Sequence, residues 1–174
     1  MMHKKIVITG PESTGKSLLV KELAEHYNSF YVSEFARKYI DELEQDYQES
    51  DLLRIAHGQM LLEDEVASLA LGYLFCDTEL TVIDIWSQEK YGRTHDWIKE
   101  EMGKRAYDLY LLTDVDLEWT YDPQRENEYD RDRLLSLYKK SLESRNINYK
   151  LVSGQGDDRL ANAIKYIDEC FKKN

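Results

Sequence analysis

The sequence predicts a three-layer α/β/α fold in which a five-stranded parallel sheet is covered by helices on both faces. Three observations carry that prediction. Short apolar runs of four or five residues recur along the chain, and each is followed by a longer stretch with helical spacing of its apolar residues. Strand and helix alternate, which builds βαβ units with right-handed crossovers. No Gly/Ser linker, internal repeat or low-complexity tract divides the 174 residues, so one domain is expected over residues 1–174.

The elements follow in order. Lys5-Ile6-Val7-Ile8-Thr9 reads as a buried strand, and a helix is predicted over 17–27 with Leu18, Leu19, Leu23 and Ala24 on one face. Phe30 to Ser33 is a short strand, and 34–44 is helical. A long helix is predicted over 51–71, capped by Ser50 or Asp51. Tyr73 to Asp77 is an apolar run that ends in a carboxylate. Helices over 78–91 and 94–104 lead to a fourth strand, Leu109 to Leu112. Residues 116–133 carry charge and Pro123 with no clean period, a connection too long for a tight turn. A helix over 131–144, a fifth strand over 149–152 and a closing helix over 157–171 complete the pattern.

Bulk properties exclude several classes. Net charge is −11, and a surface this acidic repels the phosphates of nucleic acid. No run of about 18 apolar residues exists, so no membrane span is expected. The N-terminus lacks the apolar region and cleavage site of a signal peptide, which makes the cytoplasm the expected location. Cys76 and Cys170 form no metal-binding spacing; Cys76 reads as a buried core thiol.

Gly10-Pro11-Glu12-Ser13-Thr14-Gly15-Lys16-Ser17 matches G-x-x-x-x-G-K-[ST], with an apolar strand before it and a helix after it. The glycines allow a backbone that turns consecutive N–H groups toward phosphate oxygens, and the helix start adds the positive end of its dipole. The motif predicts a P-loop NTPase fold that binds ATP and Mg²⁺ through residues Gly10 to Ser17 and the adjoining Leu18. Lys16 would reach the β- and γ-phosphates, and the Ser17 hydroxyl would ligate Mg²⁺. A second Mg²⁺ carboxylate is expected at the end of a neighbouring strand. Asp77 fits, and Asp84 would take the role if Leu80 to Ile83 were the strand instead. Glu34 follows the second strand and can accept an acceptor hydroxyl's proton or grip its sugar hydroxyls; its bland alternative is a pairing with Arg37 or Lys38. The 116–133 loop reads as a lid, with Arg125, Arg131 and Arg133 available to a transferring phosphoryl group. Trp119 is either a stacking ring or a lid anchor. Adenine contacts are expected around Ser153 to Arg159.

These segments resemble a known family. The P-loop, Ser33-Glu34-Phe35-Ala36-Arg37, Gly58-Gln59, Phe75-Cys76-Asp77-Thr78-Glu79 and Glu118-Trp119-Thr120-Tyr121-Asp122-Pro123-Gln124-Arg125 occur in the order seen in the nicotinamide-riboside kinase domain of bacterial NadR proteins. The resemblance implies ATP-dependent phosphorylation of the ribose 5′-hydroxyl of nicotinamide riboside, a step of NAD salvage. It implies Lys16 and Ser17 at the phosphates and metal, Glu34 and Asp77 around the reacting hydroxyl and metal, and Arg125 in the lid. The family often carries an adenylyltransferase domain upstream; only the kinase step is expected of these residues. Two positions depart from the pattern. Ser33 stands where the family has a Trp that stacks on nicotinamide, and no Tyr follows Gly58-Gln59 on the long helix. Tyr31, Trp86 and Tyr91 are the rings available as replacements. The departures favour, as an alternative, a kinase for another nucleoside or small hydroxyl compound. A nucleotide-dependent switch is the reading from a different class. Leu112-Thr113-Asp114-Val115-Asp116 lacks the Asn-Lys-x-Asp that reads guanine, which disfavours GTP.

Overall fold

The structure is a computed structural model that describes residues 3–172; the ends of the predicted domain, Met1, Met2, Lys173 and Asn174, lie outside the described residues. The predicted order of strands and helices is present: β1 (Lys4–Thr9), α1 (Lys16–His26), β2 (Phe30–Val32), α2 (Phe35–Asp41), α3 (Glu49–Ala67), β3 (Tyr73–Asp77), α4 (Leu80–Tyr91), α5 (Asp96–Lys104), β4 (Leu109–Thr113), α6 (Arg131–Ser144), β5 (Tyr149–Val152) and α7 (Asp157–Phe171). All strand pairs are parallel, in the order β2-β3-β1-β4-β5.

Alternation along the central strand sorts the core into two layers. Ile6 and Ile8 face α1 and α7, where they meet Leu19, Leu23 and Ile167; Val7 points the other way, with Cys76 and Leu112, toward Leu134 and Tyr138 of α6. Cys76 is buried, as its apolar run predicts. A third cluster, built from Leu52, Ile55, Met60, Ile83 and Ile98, joins α2 to α5 beside the sheet.

Several boundaries differ from the sequence-based expectation, each for a local reason. Helix α3 starts at Glu49 and not at Asp51. Asp51 serves as the reciprocal member of a capping box, and its carboxylate accepts the Gln48 N–H at 2.7 Å. The helix stops at Ala67 instead of running to Leu71, because the chain must turn into β3 and does so through Gly72 at φ 81°. Helix α4 begins at Leu80 because Glu79 caps it, accepting the Thr81 N–H at 2.8 Å. Helix α5 likewise starts at Asp96, after His95 caps Trp97. Leu18 is not on the buried face of α1. It is 62% exposed, and Val20 takes its place in the core.

Helices α2 and α3 cross so closely that a Cβ on Gly58 would lie 2.2 Å from the Phe35 ring. The next residue, Gln59, is buried and accepts the Phe35 N–H at 2.7 Å. Gly58-Gln59 therefore fixes the start of α2, the segment that carries Glu34. Gly58→Ala is expected to destabilise the fold by about 1–3 kcal/mol through overpacking, measured by urea unfolding.

Candidate active site

Parallel pairing sets the end of β1 between β3 and β4, with Ile8 opposite Asp77 and Thr9 opposite Leu112. The loop that leaves β1 thus begins at the carboxyl edge of the sheet, at the point where strand order reverses. Gly10 sits at φ 140°, and a Cβ there would meet the Thr113 Oγ1 at 2.5 Å and its carbonyl oxygen at 3.0 Å. Only glycine fits this approach. Ser13 (φ 55°) and Gly15 (φ 76°) are also left-handed, which curls the loop before α1 begins. Hydroxyls brace it: Thr14 Oγ1 donates to the Pro11 carbonyl at 2.7 Å and lies 2.7 Å from Thr113 Oγ1. Lys16 Nζ donates to the Pro11 carbonyl at 2.7 Å, so the ammonium spans the mouth of the cradle. Burial lowers the Lys16 pKa, opposed chiefly by the charges of Glu34, Asp77 and Glu12.

Asp77 is the last residue of β3 and is buried. Burial raises its carboxyl above the ordinary range, while a hydrogen bond from Ser17 and the Lys16 charge oppose the rise. Its Oδ1 has no hydrogen-bond partner among the described residues. The rival Asp84 lies within α4 and accepts a hydrogen bond from the Thr94 hydroxyl at 2.6 Å. Glu34, at the start of α2, is half-buried and also raised, first by desolvation and next against the pull of Lys16. Neither suggested partner of Glu34 pairs with it. Arg37 binds Asp122 at 2.8 Å, and Lys38 reaches Glu42 at 3.9 Å.

The segment between β4 and α6 folds over the cradle as a lid. Thr120 N–H donates to Ser13 Oγ at 2.9 Å, Arg131 Nη1 donates to the Ser13 carbonyl at 3.0 Å, and the Glu12 carboxylate accepts the backbone N–H groups of Glu126 (3.1 Å) and Asn127. The lid also reaches α2 through the Asp122–Arg37 pair and α4 through Glu126–Lys90 at 2.9 Å. Trp119 does not line the cleft, and the guanidinium groups of Arg125 and Arg131 lie 5.9 and 5.8 Å from its ring centre. Arg125 lines the cleft below; Arg133 is turned away onto Glu89 and Asp130.

That cleft has a volume of about 590 Å³. One wall is the whole loop Gly10 to Ser17 with Leu18, Glu34 and Arg125. The other carries Ile40 of α2, Val82, Ile85 and Trp86 of α4, and Leu134 and Tyr138 of α6, with Arg37, Tyr47, Glu89, Lys90 and Glu126 at its rim. A smaller cavity of about 330 Å³ opens on the far side of Glu34, lined by Ser17, Asp77, Tyr31 and Ser33 among others. The structure thus brings Lys16, Ser17, Glu34, Asp77 and Arg125 together around two adjoining cavities. Ser153 to Arg159 lies at the end of β5, tied to the lid's base by Gly154 N–H to Asp116 at 2.6 Å, and does not line the cleft. Sequence reasoning missed Tyr47, Tyr138 and the bracing by Thr113. A signal existed for the α4 wall, because Val82, Ile85, Trp86 and Glu89 follow the i, i+3, i+4, i+7 spacing of one helix face.

A phosphate-cradling loop after the first strand of a parallel sheet, closed by a lid, defines the P-loop NTPase fold class. The sequence matches the AAA domain family over residues 5–159, and the chain belongs to that family. Over 97% of its length it is 26% identical to the trifunctional NAD biosynthesis/regulator protein NadR of Escherichia coli K12, and it spans 43% of that relative, less than half its length. A NadR protein solved in complex with NR superposes with a TM-score of 0.87 at 22% identity, covering 99% of this chain and 53% of that one. The thymidylate kinase of Ehrlichia chaffeensis superposes with a TM-score of 0.70 at 13% identity, covering 97% and 99% of the two chains. No helix of the described residues is long and apolar enough to cross a membrane.

Glu12 holds two lid amides with charge-assisted hydrogen bonds. Glu12→Ala is expected to speed trypsin cleavage after Arg125 by about tenfold, the effect of losing roughly 1–2 kcal/mol of such bonding, read by mass-resolved limited proteolysis.

Proposed function

We propose that the protein is a kinase that transfers the γ-phosphoryl group of ATP to the ribose 5′-hydroxyl of nicotinamide riboside. The observation that carries the reading is the continuity of one lidded cleft from the phosphate cradle to Glu34, a carboxylate that makes no ion pair among the described residues, and on to the apolar side chains of α4 and α6. An ATPase that only switches needs the cradle; a phosphotransferase also needs room for an acceptor beside it. The likeness to NadR over nearly the whole chain supports the choice of acceptor.

In this mechanism Lys16 and the N–H groups of the cradle hold the β- and γ-phosphates. Mg²⁺, when bound, spreads charge between those phosphates. The buried, partnerless Oδ1 of Asp77 beside Ser17 suits an ion held through one carboxylate and one hydroxyl, so these two residues would hold it. Glu34 faces the acceptor. Its hydroxyl oxygen attacks the γ-phosphorus, the bond from that phosphorus to the bridging oxygen breaks, ADP leaves with the electron pair, and the hydroxyl proton passes to Glu34. Arg125 neutralises charge on the transferring group, and the lid excludes water that would otherwise compete. Ser33, exposed at the mouth of the smaller cavity, favours a second reading in which another nucleoside is the acceptor.

ADP production with ATP–Mg²⁺, with and without nicotinamide riboside and beside a panel of nucleosides, tests the reading. Stimulation by nicotinamide riboside with mononucleotide formed is the expected outcome; stimulation by none overturns it. Lys16→Ala is expected to abolish turnover without lowering Tm, and Arg125→Ala to reduce kcat by about a thousandfold. Undiminished activity in Lys16→Ala would remove the cradle from the mechanism.

Burial raises the carboxyl of Glu34 above the ordinary carboxylate range. A base works ionised, so activity is lost as pH falls through the raised value. The acid limb of kcat/KM is therefore expected above the pH range in which an ordinary glutamate titrates. In Glu34→Gln, the residual rate should no longer follow that limb.

A further inference from the structure

The apolar end of the cleft is built to one pattern. Trp86 stands on α4, on the same face as Val82 and Ile85, and lines the cleft together with Ile40 of α2. Tyr47, in the connection before α3, meets its indole edge-on, with ring centres 4.8 Å apart and an angle of 70°. The indole Nε1–H donates to the Tyr47 hydroxyl at 2.9 Å. That hydroxyl also accepts from Lys90 at 2.5 Å and donates to the Glu126 carboxylate at 3.0 Å. The consequence is chemical. The one polar group of Trp86 is already used, so what the indole adds to the cleft lining is apolar, in an orientation held by Tyr47 and by its packing on the α2–α5 cluster. The cations on the cleft wall are used as well: Arg37 is paired with Asp122 and Lys90 with Glu126. An anionic ring or a second phosphate group at this end would find no unpaired charge among them.

We propose that Trp86, oriented by Tyr47, is the specificity-determining residue of the acceptor site, and that it takes the flat face of the heterocyclic base of an uncharged or cationic nucleoside. The assignment rests on the kinase reading for the position of the sugar, whose 5′-hydroxyl must lie at Glu34, and adds the seat of the base. The smaller cavity competes as that seat. It is lined by Lys21, Arg37, Lys38, Asp41 and Glu42 around a single ring, Tyr31, which is 41% exposed. The lining there is mostly charged, whereas Trp86, Ile40 and Tyr138 offer a flat heterocycle apolar surface to cover. Tyr91, the third available ring, packs on the α2–α5 cluster as Trp86 does, but it does not line the cleft.

The test measures binding and turnover separately on the full chain. Nicotinamide riboside, cytidine, uridine, adenosine and free ribose are titrated by calorimetry without ATP, and ADP release is followed with each. In Trp86→Ala the nucleoside Kd and KM should rise at least about tenfold, from the loss of a base–aromatic stack, while the KM for ATP and the weak affinity for ribose stay unchanged. Trp86→Phe should recover most of the affinity and guards against misfolding of the alanine variant. Tyr47→Phe keeps the ring but removes the indole's acceptor, and should raise KM about threefold, the effect of one lost hydrogen bond of modest strength. Nucleoside-dependent turnover that Trp86→Ala leaves intact, or that Tyr31→Ala impairs instead, overturns the ring assignment and leaves the kinase reading standing. Nucleoside bound through Trp86 but never phosphorylated supports the ring assignment and sinks the kinase reading. If the wild-type protein binds and phosphorylates no nucleoside, both fall.

Discussion

The structure depends on the contact between Gly10 and Thr113. It joins the first turn of the P-loop to the end of the neighbouring strand at a distance that excludes any side chain on Gly10. A chain of hydroxyls follows from it: Thr113 Oγ1 bonds the Thr9 carbonyl at 3.2 Å and meets Thr14 Oγ1 at 2.7 Å, and Thr14 bonds Pro11. Buried polar groups at a sheet edge are costly unless satisfied, so this chain both meets the backbone's demands and fixes the curvature of the cradle. The same contact places the start of the lid, which leaves β4 at Thr113, directly above the loop it covers.

From that edge the elements have distinct tasks. Helix α1 supplies the dipole behind Lys16. Strand β3, next to β1, delivers Asp77, and the start of α2, after β2 one strand further out, delivers Glu34. The α2 start is held by two residues far along the chain, Gly58 by its lack of bulk and Gln59 by its amide. The lid is fastened by polar contacts to three elements, through Glu12 and Ser13, Arg37, and Lys90. Exposed pairs of this kind contribute little each, and the covering depends on their number. Such a cover can open at modest cost, which suits a site that must admit two substrates and exclude water between.

The charges make one local exception to an acidic protein. Net charge is −11, whereas the cleft lining balances Lys16, Arg37, Lys90 and Arg125 against Glu12, Glu34, Glu89 and Glu126. Of these, Arg37 and Lys90 are neutralised by lid and wall carboxylates. Lys16 faces the cradle, and Arg125 lies beside Ser13. The positive potential is thereby concentrated where phosphate is expected, which the whole-chain charge conceals.

The sequence by itself determined the order of elements, the P-loop and its helix, and the carboxylates Glu34 and Asp77 at strand ends. These are local matters: hydrophobic period, turn residues and motif spacing act within about ten residues. It left Asp77 and Asp84 as rivals, because an apolar run of four residues reads equally as strand or buried helix. Tertiary structure separated them by pairing Tyr73–Asp77 with β1 and placing Leu80–Ile83 on α4. It moved Leu18 from the core to the cleft mouth, because the packing of α1 against the sheet, and not its period alone, chooses the buried face. The resemblance marked Gly58-Gln59 without a reason, and the crossing of α2 and α3 supplied one. The apolar wall gathers Ile40, Tyr47, Trp86 and Tyr138 from four separate stretches of chain. No window of sequence contains their meeting, since it arises only when α2, α4 and α6 close over one end of the sheet.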